Sequence, residues 1–242
     1  MPRLVSTPAG TVAPQMPHLR LYRQATAAAL IAAPAIFLVD NVLHPKEFTR
    51  DHEAQQLARI GDAYTRWQLA HFIGLIAILT FSAAMLGLAF LVRRRQPTLG
   101  LVGGALSVVG LIGLGGVIAI DGYTWGILGE VSTKNVDAAT VRLALHDVQQ
   151  SEWSLQFYVL PLAWILGIVS LALGAMRQGA IPGPAAWLLA LGGLVVGVEA
   201  AVENNAYFIA SAAVLLAGGA AVGTALWRLS DEEFAAGVRS TS

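Results

Sequence analysis

Apolar runs of about twenty residues, punctuated by arginines, constrain this chain more than any other feature. Six can be marked out, over residues 25–43, 67–92, 98–121, 152–176, 184–203 and 206–227. A helix of about 20 apolar residues crosses the roughly 30 Å hydrocarbon core of a bilayer. In that solvent each backbone amide must find its partner within the segment or in a closed barrel, and runs of this length take the helical solution. The expected fold is all-α, a polytopic integral membrane protein built as a six-transmembrane-helix bundle. Composition agrees. The chain is 56% hydrophobic and only 12% charged, against about 25% charged for an ordinary soluble domain.

Arginines give the threading. Arg20 and Arg23 precede the first run, Arg93, Arg94 and Arg95 stop the second, Arg177 follows the fourth and Arg228 the sixth. Alternating spans bring all of them to one side, which the positive-inside rule makes cytoplasmic. The expected location is the cell (plasma) membrane, with both termini cytoplasmic. Residues 1–20 read as a disordered cytoplasmic arm, 21–228 as the transmembrane domain and 229–242 as a cytoplasmic tail. Residues 46–66 and 123–151 read as outer loops, partly helical, with a short surface helix over 137–149. Trp67, Trp125 and Trp153 read as an outer aromatic belt, and Tyr22, Trp187 and Trp227 as an inner one. Glycines four apart, at Gly100 and Gly104, Gly193 and Gly197, and Gly219 and Gly223, mark close helix contacts. Residues 67–121 and 152–203 share a faint plan: tryptophan at the start, an arginine and proline turn, paired glycines, and an acid at the end.

Several partners and chemistries drop out. Net charge is zero, so nothing draws the chain to nucleic acid, and membrane lipid is the expected surrounding partner. With no cysteine, disulfides, thiolate catalysis and cysteine-ligated metals are excluded.

The functional signal is an asymmetry between the two ends of the helices. Asp40 and His44 lie at the outer end of the first, Gln68 and His71 at that of the second, Asp121 at that of the third, Glu152 and Gln156 at that of the fourth, and Glu199 and Glu203 at that of the fifth. The cytoplasmic ends carry arginines and no comparable cluster. Ionisable residues inside membrane helices are costly and as a rule face the bundle interior, at functional sites. Glu199, Asp40 and His71, each with apolar neighbours about a turn inside a helix end, are the candidate catalytic residues. Asp121, His44 and Gln156 complete the candidate pocket. Glu152, Glu203, Asn204 and Asn205 read as helix-end residues that meet water.

A carboxylate held in low dielectric resists ionisation and can serve as a proton donor. His44, His71, Asp40, Asp121 and Glu199 are also donors of the type zinc or iron takes, but no His-Glu-x-x-His or Glu-x-x-His spacing joins them. No metal site is assigned, and the sequence identifies no cofactor. Below the pocket the helices offer only Thr80, Ser82, Ser107 and Ser170, side chains that commonly bond their own helix backbone, so a conducting path is not expected.

The reading is an outward-facing intramembrane pocket, lined by acids and histidines, that binds or processes a small lipophilic or cationic molecule. One alternative is an intramembrane enzyme using acid–base chemistry or a bound metal. In size and acid placement alone such an enzyme resembles the integral-membrane terpene cyclases, with no shared motif. The other is an accessory or structural subunit, compatible with an oligomer or a partner subunit.

Overall fold

Prolines and arginines set where the helices begin and end in the computed structural model, which describes residues 17–45, 53–134, 137–151, 156–157, 159–198, 202 and 204–238. These residues are 88% helical, with no strand among them. The elements are α1 (Pro17–Leu43), α2 (Glu53–Asp62), α3 (Tyr64–Val92), α4 (Pro97–Ser132), α5 (Ala138–Gln150), α6 (Pro161–Arg177), α7 (Gly183–Gly197), α8 (Asn205–Trp227) and α9 (Asp231–Ala236). Proline stands in the first turn of α4, α6 and α7, where its missing N–H has no intrahelical acceptor to satisfy. Four helices, α1, α3, α4 and α8, are long and apolar enough to cross a membrane, and α6 and α7 are shorter apolar helices.

The six apolar helices close into a ring in chain order: α1 packs on α3, α3 on α4, α4 on α6, α6 on α7, α7 on α8, and α8 back on α1. A lesser α3–α6 contact crosses the middle. There Phe81 meets Trp164, ring centroids 5.4 Å apart, and Phe37 at 6.2 Å, closing the centre with aromatic carbon.

Glycine makes the ring tight. Pro34, inside α1, has no N–H to give the Leu30 carbonyl, and α8 lays Gly219 directly against that same oxygen, leaving no space for a side chain. A turn away, a Cβ on Gly223 would come within 2.7 Å of the Ala27 carbonyl. Gly110 of α4 and Gly167 of α6 likewise abut the backbones of Trp164 and Ser107.

The basic ends meet at one level. Arg23 is buried and donates through Nε to Asp231 (3.0 Å) and through a terminal nitrogen to the Trp227 carbonyl (2.7 Å), neutralising the partial negative charge at the end of α8. Gln178 donates to the Leu91 carbonyl at 3.2 Å. At the opposite level the Tyr207 hydroxyl, starting α8, donates to the Val195 carbonyl near the end of α7 at 2.9 Å.

Three boundaries differ from expectation. Helix α1 starts at Pro17, so residues 17–20 of the expected arm are helical; residues 1–16 lie outside the described residues. The tail contains a docked helix: α9 has a Ser230–Glu233 capping box and buries Phe234 against Tyr22 and Phe90. Most consequentially, α4 runs to Ser132 rather than ending at Asp121. Its 36 residues span about 54 Å at 1.5 Å each, more than a bilayer core requires. The extra turns carry Gly122, Gly126 and Gly129; the first two meet α3 at His71, Trp67 and Gln68, and α2 packs on Gly129 so closely that a Cβ there would lie 3.0 Å from the Leu57 carbonyl. With α5 they form a second small core of Leu57, Val141 and Leu145. The expected loops 46–66 and 123–151 are in large part this helical cap.

Candidate functional site

The last turns of α1 and the first turns of α3 run side by side beneath the cap. Residues four apart stack on one helical face, so Asp40 and His44 line α1 while Trp67 and His71 line α3. The three rings touch one another: His44 and Trp67 at 4.6 Å between centroids, Trp67 and His71 at 4.4 Å, His44 and His71 at 4.8 Å. Asp40, His44 and His71 are each only 7% exposed.

Helix α4 supplies the third wall through what it lacks. A Cβ on Gly122 would stand 2.7 Å from the His71 ring, and one on Gly126 would crowd Gln68 and the Trp67 indole. Into that space Trp67 sends its indole N–H, donating to the Gly122 carbonyl at 2.9 Å, and Gln68 donates to the same oxygen at 3.2 Å. Asp121, half-buried, is the neighbour of this glycine.

Glycine also makes room for the carboxylate. The position a Cβ would take on Gly74 lies 3.1 Å from Asp40 Oδ2 and 3.4 Å from Ile118 Cδ1. Asp40 therefore reaches from α1 across α3 to its junction with α4. Gly74 follows His71 by nearly one turn, so the carboxylate sits about a turn deeper than the imidazoles.

One histidine reveals its tautomer. His71 Nδ1 lies 2.9 Å from the Trp67 carbonyl. A carbonyl only accepts, so Nδ1 carries the hydrogen and the lone pair of the neutral ring is on Nε2. Backbone anchoring of this kind fixes both tautomer and ring orientation.

Of the sequence candidates, Asp40, His44 and His71 come together, and Asp121 stands beside the glycine that packs on His71. Gln156 is exposed, in helical residues just before Pro161. Glu199 lies outside the described residues, as do Glu152, Trp153 and Glu203. Trp67 departs from its expected place in the outer belt: it is 1% exposed and forms the roof of the site. Trp187 and Trp227, at 58% and 51% exposed, do lie on the surface near the arginine level. Sequence reading missed Trp67, Gly74, Gly122 and Gly126 as site residues. The signal was available in Gly122-x-x-x-Gly126-x-x-Gly129, a small-residue spacing within a stretch taken for a loop.

The arrangement can hold a proton, a positive charge or a hydrogen-bonding group against aromatic rings. Among the described residues no three histidine, aspartate or glutamate side chains converge as a metal ion requires. Comparison with protein-family models, curated proteins and solved structures finds no significant match to this chain.

Proposed function

We propose that the chain is a six-span protein of the plasma membrane with both termini in the cytoplasm, and that its outer end binds a small lipophilic or cationic molecule at Asp40, His44, Trp67 and His71, with Asp121 and Glu199 completing the site. One observation carries this reading: two imidazoles and a carboxylate, contributed by two helices, are gathered and nearly shut off from water beneath a tryptophan. Burying ionisable groups is expensive, and helix ends that merely met water would leave these side chains exposed.

Six spans are supported by the shared levels of the ring. Helices α6 and α7 are short, 17 and 15 residues, about 26 and 22 Å. Yet α6 ends level with α3 at the basic side, through Gln178, and α7 ends level with the start of α8 at the opposite side, through Tyr207. Local thinning of the bilayer accommodates a short span at modest cost.

The test is a thermal-shift screen of the purified chain in detergent against divalent metals, organic cations and prenyl lipids, with Asp40→Asn and His71→Gln in parallel. A compound that raises the melting temperature of the wild type but of neither variant supports the reading. Shifts that persist in both variants place binding elsewhere. No shift with any compound favours an accessory, structural role.

A further inference from the structure

We propose that the arginine end of the ring binds an anionic phospholipid, its phosphate held by Arg93 and Arg94 at the turn from α3 to α4. This rests on the membrane placement of the ring and not on the ligand site at its other end.

Helix α3 sets the level. Its 29 residues span about 44 Å, and a bilayer with its headgroups is about 40–45 Å thick. The turn that follows α3 therefore lies in the headgroup layer. It is held closely there. Gly100 of α4 packs on the Arg93 backbone with no room for a Cβ, and the Arg93, Arg94 and Arg95 amides donate to the Ala89, Leu91 and Val92 carbonyls.

The two guanidinium groups share one aromatic support. Arg93 Cζ is 4.9 Å and Arg94 Cζ 4.4 Å from the centroid of the Phe90 ring. Phe90 is itself packed against Tyr22 at 5.0 Å and Phe234 at 6.0 Å. A cation is attracted to an aromatic face, and a guanidinium there keeps N–H donors for an acceptor. Its planar fork matches two phosphate oxygens at once. Two like charges beside one ring repel each other, and a bound anion relieves that repulsion.

The chain's own acids at this end are committed elsewhere. Asp231 pairs with Arg23, and Glu233 accepts the Ser230 N–H in the capping box. Both, with exposed Glu232, stand in the first turn of α9. The other end of α9 faces the arginine triplet, where Arg95 Nε donates to the Ala236 carbonyl at 3.3 Å. Among the described residues Arg93 and Arg94 form no ion pair. Arg20, Arg177 and Arg228, all exposed, add positive charge at the same level.

The surroundings select a lipid over an acidic protein or a nucleic acid. Leu86, about two turns inward on α3, and Leu101, about one turn inward on α4, are 50% and 74% exposed. Acyl chains cover such faces while the phosphate reaches the turn. A soluble polyanion would meet the arginines and leave the leucines bare.

The test immobilises the full chain in a neutral detergent and equilibrates it with equal amounts of phosphatidylglycerol and phosphatidylcholine of identical acyl chains. The lipids that elute with the protein are then quantified. Wild type should retain the anionic lipid in preference by about tenfold or more. An arginine near an anionic headgroup contributes about fivefold, so Arg93→Gln and Arg94→Gln should each lower the preference about fivefold and the double variant should nearly abolish it. Arg93→Lys/Arg94→Lys keeps both charges and should retain most of it. Lys134→Gln, at the far end of α4, is the control and should match wild type. Melting curves identify a misfolded variant, and the single changes keep the proposal testable if the double variant does not fold. Free phosphate should release no more lipid than chloride at equal ionic strength, because the acyl chains also hold the lipid. Selective release by phosphate would make a soluble phosphate compound the occupant and overturn the lipid. Equal retention of the two lipids, or a preference unchanged in the double variant, would overturn this inference and leave the membrane placement standing. Retention of neither lipid would overturn both.

Discussion

The indole N–H of Trp67 on α3 donates to the carbonyl of Gly122 on α4 across 2.9 Å. Because Gly122 has no side chain, the same contact seats the His71 ring against its Cα. Two helices are locked in register at the level where the ionisable side chains gather. The orientation of His71 thus depends on a tryptophan one turn away and a glycine on another helix.

That lock predicts a graded response at Trp67. Trp67→Phe keeps most of the ring and removes one hydrogen bond, while Gln68 still reaches the Gly122 carbonyl. Its cost should be about 1 kcal/mol or less. Trp67→Ala removes the roof of the site and should cost about 3–5 kcal/mol. Equilibrium unfolding in mixed micelles reads both. Equal costs would mean that the hydrogen bond, not the packing, holds the two helices together.

Glycines predict where methyl groups are forbidden. Gly219→Ala drives a Cβ into the backbone carbonyl of Leu30, which cannot move without shifting α1 against α8. Overpacking of this kind costs about 1–3 kcal/mol. Gly115 on α4 is the matched control, since its Cβ would make only ordinary contact with Ile78 at 3.5 Å. Gly115→Ala should be neutral or stabilising by up to about 1 kcal/mol, the helix-propensity gain. A harmless Gly219→Ala would show that α1 and α8 adjust more freely than the backbone contact implies.

How far the sequence was legible depended on which signal spoke. Apolar run length, with Arg93 and Arg228 as stops, located α3 and α8 to within a few residues, because hydropathy and helix period agree there. The end of α4 was not legible. Glycine is a poor helix former, so Gly122, Gly126 and Gly129 among polar neighbours read as loop. Their role is to let α3 and α2 come close, and that appears only when the neighbours are present. Asp40, His44 and His71 were legible as a group because a charge on an apolar helix face is expensive wherever it faces lipid. Trp67 was not, since an interfacial tryptophan and a buried one look alike in a sequence. Phe234 was hidden for a different reason: one aromatic in a charged tail gives no sign of a docking surface formed by Tyr22 and Phe90.

The basic end predicts an ordering of effects at α9. Asp231 is partly exposed and water can replace it as a partner, so Asp231→Asn should cost under about 1 kcal/mol. Arg23→Ala removes a buried donor to the Trp227 carbonyl as well, and should cost about 1–3 kcal/mol. Phe234→Ala empties the contact with Tyr22 and Phe90 and should release α9 while the ring of helices stays folded. Limited trypsin digestion should then cut after Arg228 several-fold faster. Unchanged digestion would mean that the Arg23 pair alone holds α9 in place.

Threading has its own test. Arg20, Arg93, Arg94, Arg95, Arg177 and Arg228 are all exposed at the ring level where Arg23 and Gln178 make their bonds. Reporter fusions after Met176 and after Ser242 should report the cytoplasm, and a fusion at Val136 the outside. An external signal at the C-terminus with a cytoplasmic one after Met176 would mean that the α7–α8 hairpin does not complete two crossings.

Gly74 separates packing from function most cleanly. A methyl group there would stand 3.1 Å from Asp40 Oδ2, tight enough to push the carboxylate by a few tenths of an ångström but far from the backbone clash at Gly219. Alanine in place of glycine inside a helix is worth up to about 1 kcal/mol, which offsets the crowding. Gly74→Ala should therefore melt within a few degrees of wild type. Its carboxylate, however, is displaced from the gap that Gly74 leaves on α3. If Asp40 serves a ligand, affinity for the compound found in the thermal-shift screen should fall about tenfold or more, because sub-ångström misplacement of a charged partner weakens the bond it makes. Gly115→Ala, about one turn deeper on α4, carries the same chemical change where the Cβ meets only Ile78 and should leave affinity alone. Equal binding by both variants, with Gly74→Ala as stable as expected, would show that the carboxylate's position beside α3 has no part in recognition.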